Sequence, residues 1–279
     1  MDLTRHLYGI GLPGPRLEGP VETMGFKAFN LARMAAIGLP VPQAFVLGTP
    51  FCQAFGDDPA AFRPALRKLL ESQIERLEAA CGLEFGSGRK PLLVSVRSGA
   101  PVSMPGMMDT ILDVGLTDAT LRGLLRMTGN PRLVWDSYRR LIQQYAEVVH
   151  HSPPAPFREA LNLAMEQAGA QRPQELDFRA LTRLARRYLE IFETLNGCPF
   201  PQDPLTQLQR ATEAVFDSWM SPRAIEYRRM RRIDAKMGTA VTVQRMVFGN
   251  AGGTSGAGVG FSRDPASGEN RLYLDFRFN

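Results

Sequence analysis

The chain has 279 residues, 44% of them hydrophobic, which is enough for one large or two modest domains with a sizeable core. Its 33 basic and 28 acidic residues give a net charge of +5, and the bases lie among acids along predicted helices, which argues against a nucleic-acid partner. The sequence contains no stretch approaching the roughly 20 apolar residues that span a bilayer and no N-terminal signal region, so we expect a cytoplasmic protein without a membrane partner.

The three cysteines, Cys52, Cys81 and Cys198, are odd in number and widely spaced, and none belongs to a CxxC pair. This pattern predicts neither a disulfide framework nor a zinc site. We interpret all three as reduced thiols without a catalytic role.

Residues 1–22 are rich in glycine and proline, which predicts a lead-in loop or at most a short strand. From 27 to 37 apolar residues recur at helical spacing and Gly38 gives a stop signal, so a helix is predicted with Lys27 in its first turn. Cations are stabilised at the opposite end of a helix. Two interpretations of Lys27 stay open: it extends into solvent, or it meets an anion.

An α/β unit is predicted next. Residues 44–47 indicate a strand, and Thr49 followed by Pro50 is typical of an N-cap and a first helical residue. Residues 63–81 have the pattern of an amphipathic helix, and a short apolar, β-branched strand begins at Leu92.

The segment 92–115 carries the clearest chemistry. Its apolar beginning leads through Arg97 into a loop of Gly, Ser and Pro, a pattern typical of a buried strand that ends at a flexible cationic site. A guanidinium offers planar donors for phosphate or carboxylate, and Ser98, Gly99 and Gly106 with the nearby backbone N–H groups can add more. The alternative is an arginine in a surface salt bridge beside an ordinary loop.

Residues 116–198 have a helical pattern interrupted by a Pro-rich turn at 152–156. His150 and His151 adjoin a predicted helix end, where the dipole favours cations, so we interpret them as non-catalytic. The apolar and aromatic stripes predict core packing and no cofactor site, and they comprise Val134, Tyr138, Leu141, Tyr145, Val148, Leu181, Leu184, Tyr188 and Ile191.

From 239 to 248 the apolar period changes to two, which predicts a β-strand. The glycine-rich run 249–258 follows and matches neither GxxxxGK[ST] nor GxGxxG. It is either a mobile cover whose N–H groups bind phosphates or a flexible hairpin. The remaining predicted elements are helices at 207–219 and 222–233 and a last hairpin of 259–262 with 272–276.

Strings spread along nearly the whole chain carry a family resemblance. They are GFKAFNLA at 25–32, SVRSGA at 95–100, MPGMMDT at 104–110, DSYRR at 136–140, FPQDP at 200–204, GTAV at 238–241 and GN at 249–250. Together they resemble the nucleotide-binding domain of the pyruvate phosphate dikinase family. The methionine pair favours this family over the related phosphoenolpyruvate synthases, whose pattern there is typically more acidic.

The resemblance implies an α+β fold, namely an ATP-grasp-type nucleotide-binding domain with two α/β lobes and a helical insert subdomain. In the family the last strand continues into an acidic segment that helps to hold magnesium, so the expected Mg²⁺ ligands lie beyond Asn279 and the chain is expected to be truncated. The implied parts are a first lobe at 1–115, the helical insert at 116–198, a return to the first lobe at 199–238 and the start of the second lobe at 239–279.

The implied activity is phosphotransfer, in which ATP, pyruvate and phosphate give AMP, phosphoenolpyruvate and diphosphate, with ATP and Mg²⁺ as cofactors. The phosphoryl group passes through a histidine on a separate swivelling domain. That domain and a pyruvate-binding domain are the implied partners, in a homodimeric full-length enzyme. The alternatives are a phosphoenolpyruvate synthase-like dikinase and a nucleotide-binding module without turnover.

The resemblance assigns Lys27 and Arg97 as phosphate clamps and as the catalytic cations. The family pattern around this lysine is Gly-Gly-Lys-Gly-Ala, whereas this chain has Phe26, Ala28 and Phe29 there. The other implied nucleotide contacts are a phosphate loop of Gly106, Met107, Met108, Asp109 and Thr110, an adenine-side strand of Gln244, Met246 and Val247, and a lid at 252–258 that includes Gly252, Gly253, Thr254, Ser255 and Gly256.

Overall fold

A computed structural model describes residues 3–13 and 19–278. The strands are β1 (Leu7–Ile10), β2 (Ala44–Leu47), β3 (Glu84–Phe85), β4 (Pro91–Leu92), β5 (Val94–Gly99), β6 (Thr110–Val114), β7 (Ala240–Arg245), β8 (Gly256–Phe261) and β9 (Tyr273–Phe278). The α-helices are α1 (Val21–Met24), α2 (Phe26–Ala36), α3 (Thr49–Asp57), α4 (Pro59–Cys81), α5 (Asp118–Thr128), α6 (Pro131–Val149), α7 (Ala155–Ala168), α8 (Phe178–Asn196), α9 (Pro204–Ser218) and α10 (Pro222–Arg231). The mixture of helix and sheet confirms the predicted α+β class.

The lead-in segment predicted at 1–22 contains the short strand β1, and its positions 1–2 and 14–18 lie outside the described residues. Asn279, the last residue of the predicted second lobe, also lies outside them. In residues 3–13 and 19–278, no helix is both long and apolar enough to cross a bilayer.

The central sheet has five strands in the order β1-β2-β7-β5-β6, and each neighbouring pair is antiparallel. Strands β2 and β5 therefore run in the same direction with β7 between them. The connection from β2 through α3 and α4 to β5 is the predicted α/β unit. Strand β7, from a distant part of the chain, is inserted between β2 and β5.

One face of this sheet carries the main core. Phe45, Val96 and Val243 lie opposite one another in register and are fully buried. They belong to the apolar cluster that also contains Leu70 of α4 and Val215 of α9. Because side chains alternate along each strand, the residues between these form the opposite face.

The opposite face is divided between two kinds of side chain. Tyr8, Ile10 and Val46 on β1 and β2 pack with Ala28 of α2 in a second apolar cluster. Towards β5 and β6 the same face becomes polar, with Ser95, Arg97, Thr110, Thr242 and Gln244 in register across β6, β5 and β7. The polar half lies beside the N-terminus of α2.

The helical region predicted at 116–198 is confirmed as α5 to α8, and its aromatic stripes form core. Tyr145 and Phe192 pack around Phe200 with ring centroids 5.5 and 5.4 Å away. His150 is the C-cap residue of α6, and its ring lies 5.2 Å from that of Phe192. The histidine therefore occupies the helix end that the pattern predicted.

Some predicted boundaries are wrong for local reasons. Helix α4 begins at Pro59, four residues before the predicted start at 63, because the Asp58 side chain accepts a hydrogen bond from Ala61 N–H at 3.0 Å. Thr49 is not an N-cap, since Gly48 takes that position and the Thr49 hydroxyl donates to the Glu22 carbonyl at 3.1 Å.

The last hairpin is confirmed, with longer strands than predicted. Strand β8 begins at Gly256, inside the glycine-rich run, and β9 pairs with it antiparallel up to Phe278. Strand β7 ends at Arg245, three residues before the predicted end at Phe248. Every residue of β9 is exposed, including Leu274 and Phe276.

Candidate nucleotide site

The N-terminus of α2 is fixed against the end of β5. The Phe26 N–H donates to the Ala100 carbonyl at 3.0 Å, and Gly25 before it has φ 79° and ψ 150°. A Cβ atom at Gly25 would stand 1.8 Å from the Gly99 carbonyl oxygen, so the backbones approach as closely as only glycine allows. This contact places Lys27 over the strand that carries Arg97.

Lys27 and Arg97 are the cations of this region. Lys27 Nζ donates to the Ser98 carbonyl at 3.3 Å, and burial, followed by the charge of Arg97, lowers the pKa of the lysine. Within residues 3–13 and 19–278, neither side chain has a carboxylate partner within ion-pair distance. Lys27 is exposed and Arg97 is half-buried, and the two lie close enough for their positive charges to repel each other.

The loop after β5 encloses a cavity beside Lys27, and Arg97 is not part of its wall. The cavity has a volume of about 180 Å³, and its wall includes Lys27, Ser98, Met104, Gly106 and Met108. The Met107 N–H donates to the Met104 carbonyl at 3.2 Å, and Gly106 supplies a φ of 70° for this turn. The loop is therefore a defined turn over the lysine.

The predicted phosphate loop is thus divided between several places. Gly106 and Met108 line the cavity, and both Met107 and Met108 pack against the main core. Thr110 begins β6 directly opposite Arg97. Asp109 lies 3.9 Å from Arg223 and makes no ion pair with either cation of the site.

The predicted adenine-side residues lie elsewhere. Gln244 is buried in β7, and its Nε2 donates to the Pro42 carbonyl at 2.9 Å. The Met246 N–H donates to the Leu93 carbonyl at 2.9 Å. Met246 and Val247 line a separate cavity of about 230 Å³, whose wall also includes Leu93, Leu124, Met127 and Phe248. The structure does not bring these residues into the cavity at Lys27.

The predicted lid residues form a local turn. Gly252 N–H donates to the Ser255 hydroxyl at 3.2 Å, and Ser255 N–H donates to the Gly252 carbonyl at 2.8 Å. Gly253 and Thr254 lie inside this turn, and Gly256 begins β8. The wall of the 180 Å³ cavity includes none of the residues from 252 to 258.

Three residues at the site were missed by the sequence patterns. Gly25 gives the close approach described above, Thr239 accepts the Gly99 N–H at 3.3 Å, and Thr242 lies opposite Arg97. A glycine directly before the predicted helix was a usable signal for Gly25. The alternation of threonine with valine in β7 reveals Thr242 only when its partner strand is known.

The carboxylate and thiol groups do not assemble a metal centre in the described part of the chain. Among residues 3–13 and 19–278, no group of three or more His, Cys, Asp or Glu side chains is placed to hold a metal ion. Cys52 is buried, and burial raises its pKa to about 11, so this thiol stays protonated at neutral pH. The chemistry that the site offers is cationic.

Comparison with known proteins gives a consistent result. Residues 59–276 match the family "Pyruvate phosphate dikinase, AMP/ATP-binding domain". The chain is 44% identical to the pyruvate, phosphate dikinase of Clostridium symbiosum over 92% of its own length and 29% of the relative's. It is also 44% identical to that of Rhizobium meliloti, over 98% of this chain and 30% of the relative, and to pyruvate, phosphate dikinase 2 of Zea mays, over 92% and 29%. The chain therefore spans under a third of the length of these curated relatives.

Proposed function

The chain belongs to the family of pyruvate phosphate dikinase AMP/ATP-binding domains, and we propose that it binds the phosphates of ATP with Lys27 and Arg97. The observation that carries the proposal is the pair of cations with no acidic partner in the described residues. Such a pair is costly in an empty site, because burial and mutual repulsion both oppose the charges. A bound polyphosphate removes that cost, since each cation then has an anionic partner.

The proposed role in catalysis is to position ATP and neutralise its charge. Phosphoryl transfer needs little covalent help from protein side chains, so cations and oriented donors supply most of the stabilisation. Arg97 is held by the central sheet, and Lys27 is held by the contact of Gly25 with Gly99. Gly106 and Met108 close the cavity above the lysine.

Magnesium enters this proposal only as a partner of the ATP phosphates. Mg²⁺ in phosphate sites is usually bound by one or two carboxylates together with phosphate oxygens. The described residues offer no such cluster, and Asp109, the acid of the loop, approaches Arg223 instead. This donor set does not fit a protein-held Mg²⁺, and we assign no step to it.

The wider assignment follows the names of the relatives. We propose that the parent reaction is that of a pyruvate phosphate dikinase, with ATP, pyruvate and phosphate giving AMP, phosphoenolpyruvate and diphosphate. The same proposal includes the phosphohistidine and pyruvate-binding domains as partners, a homodimer and a cytoplasmic location. It also includes the ATP-grasp architecture with its residue divisions, an adenine contact by Gln244, Met246 and Val247, and a lid at 252–258.

A second candidate function is nucleotide binding without turnover. It is favoured by the site's chemistry, because the described residues supply cations and backbone donors but no carboxylate cluster that could hold a metal ion beside the phosphates. Phosphate release from ATP by this chain alone would contradict that alternative.

The test is calorimetric titration of the chain with ATP, with and without Mg²⁺. We expect Lys27→Ala and Arg97→Ala to weaken binding by about 10- to 100-fold each, the value of a lost charge-assisted hydrogen bond. Because both side chains are partly exposed and make few protein contacts, the melting temperature should change little. Arg186→Ala is the matched control, because Arg186 is an exposed arginine of α8 without an ion pair in the described residues. Unchanged affinity in both variants, or no binding by the unaltered chain, would refute the proposal.

A further inference from the structure

The helical region of the chain carries an open groove between α7 and α8. Phe157 packs on Tyr188 with ring centroids 5.0 Å apart, and the Tyr188 hydroxyl donates to the Phe157 carbonyl at 2.9 Å. Because Gln167 and Ala180 also line one groove, further along, the two helices run antiparallel. The groove has a volume of about 390 Å³, and its wall includes Glu159, Leu163 and Gln167 of α7 and Arg183, Leu184 and Arg187 of α8.

Helix α7 is covered on one side alone. It packs chiefly against α8, and among its fourteen residues, all of which the structure describes, Phe157 is the one fully buried side chain. Leu163, near the middle of the helix, is 55% exposed. Ala160 and Ala164 beside it are half-buried, and such small side chains let another helix approach closely. The exposed face of α7 therefore has the shape and the apolar centre of a helix-packing surface.

The α8 side of the groove is basic. Arg183 and Arg187 are exposed and lie one helical turn apart on the same rim. Within residues 3–13 and 19–278, Arg183 has no ion-pair partner, and Arg187 pairs with Glu190 of its own helix at 2.7 Å. An exposed pair of that kind contributes little, so both guanidinium groups remain free to bind another acid.

The outer edge of α7 has the opposite charge. Glu159, Leu163 and Glu166 follow one another at spacings of four and three residues, so they form one stripe along the helix. All three side chains are exposed, and neither glutamate forms an ion pair in the part of the chain that the structure describes. The acidic stripe thus matches the basic rim of the groove in charge and in spacing, without contacting it.

We infer that the face formed by α7 and α8 binds a second copy of this chain, with α7 of each copy seated in the groove of the other. A two-fold axis at Leu163 makes the two α7 helices antiparallel, so α7 of one copy runs parallel to α8 of the other. Glu159 of one copy then lies beside Arg183 of the other, and Glu166 beside Arg187. The same surface supplies both halves of each pair, and the inference does not depend on nucleotide binding.

The size of this face predicts a weak, reversible dimer. Helix α7 has 14 residues and is therefore about 21 Å long. Two such helices bury less than the roughly 800 Å² per partner of a standard stable interface, so we expect a Kd of about 10–200 µM. Ion pairs at an exposed rim are screened by salt, so association should weaken as the ionic strength rises.

The test is sedimentation velocity of the chain over about 5–500 µM, a range that brackets the expected Kd. Arg183→Glu and Glu159→Arg each place like charges opposite one another twice in the dimer, so each variant alone should associate at least about tenfold more weakly. In an equimolar mixture of the two variants, both contacts again join an acid to a base. The mixture should therefore dimerise like the unaltered chain, which no structural defect in either variant would allow.

Arg186→Glu is the matched control, because Arg186 is an exposed arginine of α8 that the groove wall does not include. It should dimerise like the unaltered chain, whereas Leu163→Asp should remove the dimer with little change in melting temperature. A chain that stays monomeric at about 500 µM, a mixture that stays monomeric, or an equal loss in Arg186→Glu would overturn the inference. ATP affinity should be unchanged in every one of these variants, so failure of the dimer leaves the proposed function untouched.

Discussion

Strands β5 and β9 have the same length and each carries an arginine, yet their surroundings differ completely. Strand β5 is paired on both edges, by β6 and β7, and apart from Arg97 its residues are buried. Strand β9 pairs with β8 alone, and all of its residues are exposed. Arg277 therefore lies on a two-stranded ladder and not in a packed sheet. A charged side chain can be kept partly out of water only where packing fixes the surrounding structure. The comparison therefore favours β5 as the strand that supports the proposed phosphate contacts.

The glycines of the two regions show the same contrast. Gly25 lets the N-terminus of α2 contact β5 at the Gly99 carbonyl. Gly256 and Gly258 of β8 instead make room for the ring of Phe276, where an added Cβ would come within 2.4 and 2.7 Å of ring atoms. The first contact joins two elements around a cavity, whereas the second is internal to one hairpin. A substitution at Gly25 should therefore disturb two elements and the cavity, whereas one at Gly256 or Gly258 should disturb the hairpin alone.

The largest effect is predicted for Gly25→Ala. The added Cβ would stand 1.8 Å from the Gly99 carbonyl oxygen, and the φ of 79° with ψ of 150° belongs to a region that is essentially restricted to glycine. Helix α2 must then separate from β5, so we expect a loss of more than about 3 kcal/mol of stability and no measurable ATP binding. Chemical denaturation and calorimetric titration measure the two effects.

Gly38→Ala is the control for backbone strain. Gly38 also has a positive φ, 86°, but no atom lies within 4 Å of an added Cβ. The strain alone costs about 1–2 kcal/mol, and ATP affinity should be retained. Equal losses in the two variants would show that strain, and not the contact with Gly99, dominates at Gly25.

Local sequence patterns predicted several of the helices well. The helices that contain Lys27, Tyr145 and Tyr188 were predicted because burial on one face enforces a period of 3.6. The start of α4 was missed because a cap at Asp58 adds a first turn in which Phe62 packs against the core but no apolar period is visible. Periodicity thus indicates the buried part of a helix better than its ends.

Long-range pairing could not be predicted from local patterns. The insertion of β7 between β2 and β5 depends on strands that are far apart in the chain, and it alone brings Thr242 opposite Arg97. The sequence likewise could not show the contacts of the predicted adenine-side residues, where the Gln244 amide donates to the Pro42 carbonyl and the Met246 N–H donates to the Leu93 carbonyl. The family resemblance assigned Lys27 and Arg97 to one site before any local pattern could show that the two residues lie near each other.

A second prediction concerns Asp113, in the strand next to β5. The register between β5 and β6 shifts between Val94 and Val96, because β6 has one extra residue there. Asp113 lies in this bulge, with a φ of 61°. Its carboxyl group is buried, and burial raises its pKa to about 7 despite a hydrogen bond from Ser137 and the charge of Arg140. The charge of Asp136 raises the pKa further.

The folded state therefore holds a proton on Asp113 between about pH 4 and 7 that the unfolded chain has released, so stability falls as pH rises through that window. Asp113→Asn stays neutral and tolerates the positive φ. We expect the variant to gain up to about 4 kcal/mol over the unaltered chain at pH 8 and little at pH 4. Urea denaturation across this range measures the difference, and Asp57→Asn, at an exposed position, is the control. A gain that does not change with pH would contradict a raised pKa.

The smallest effect is predicted for Phe276→Ala, in the exposed strand β9. The ring covers Gly256 and Gly258 but is itself 54% exposed, and the hairpin makes most of its contacts within itself. We expect the global free energy of unfolding to change by less than about 0.5 kcal/mol, whereas Phe45→Ala in the buried strand β2 should cost about 3–5 kcal/mol. Faster amide exchange in Phe276→Ala should be confined to 256–278, because only this ladder loses its cover. A large fall in stability would show that the hairpin is packed like β5, and weaker ATP binding at unchanged stability would instead support a lid that begins at 252.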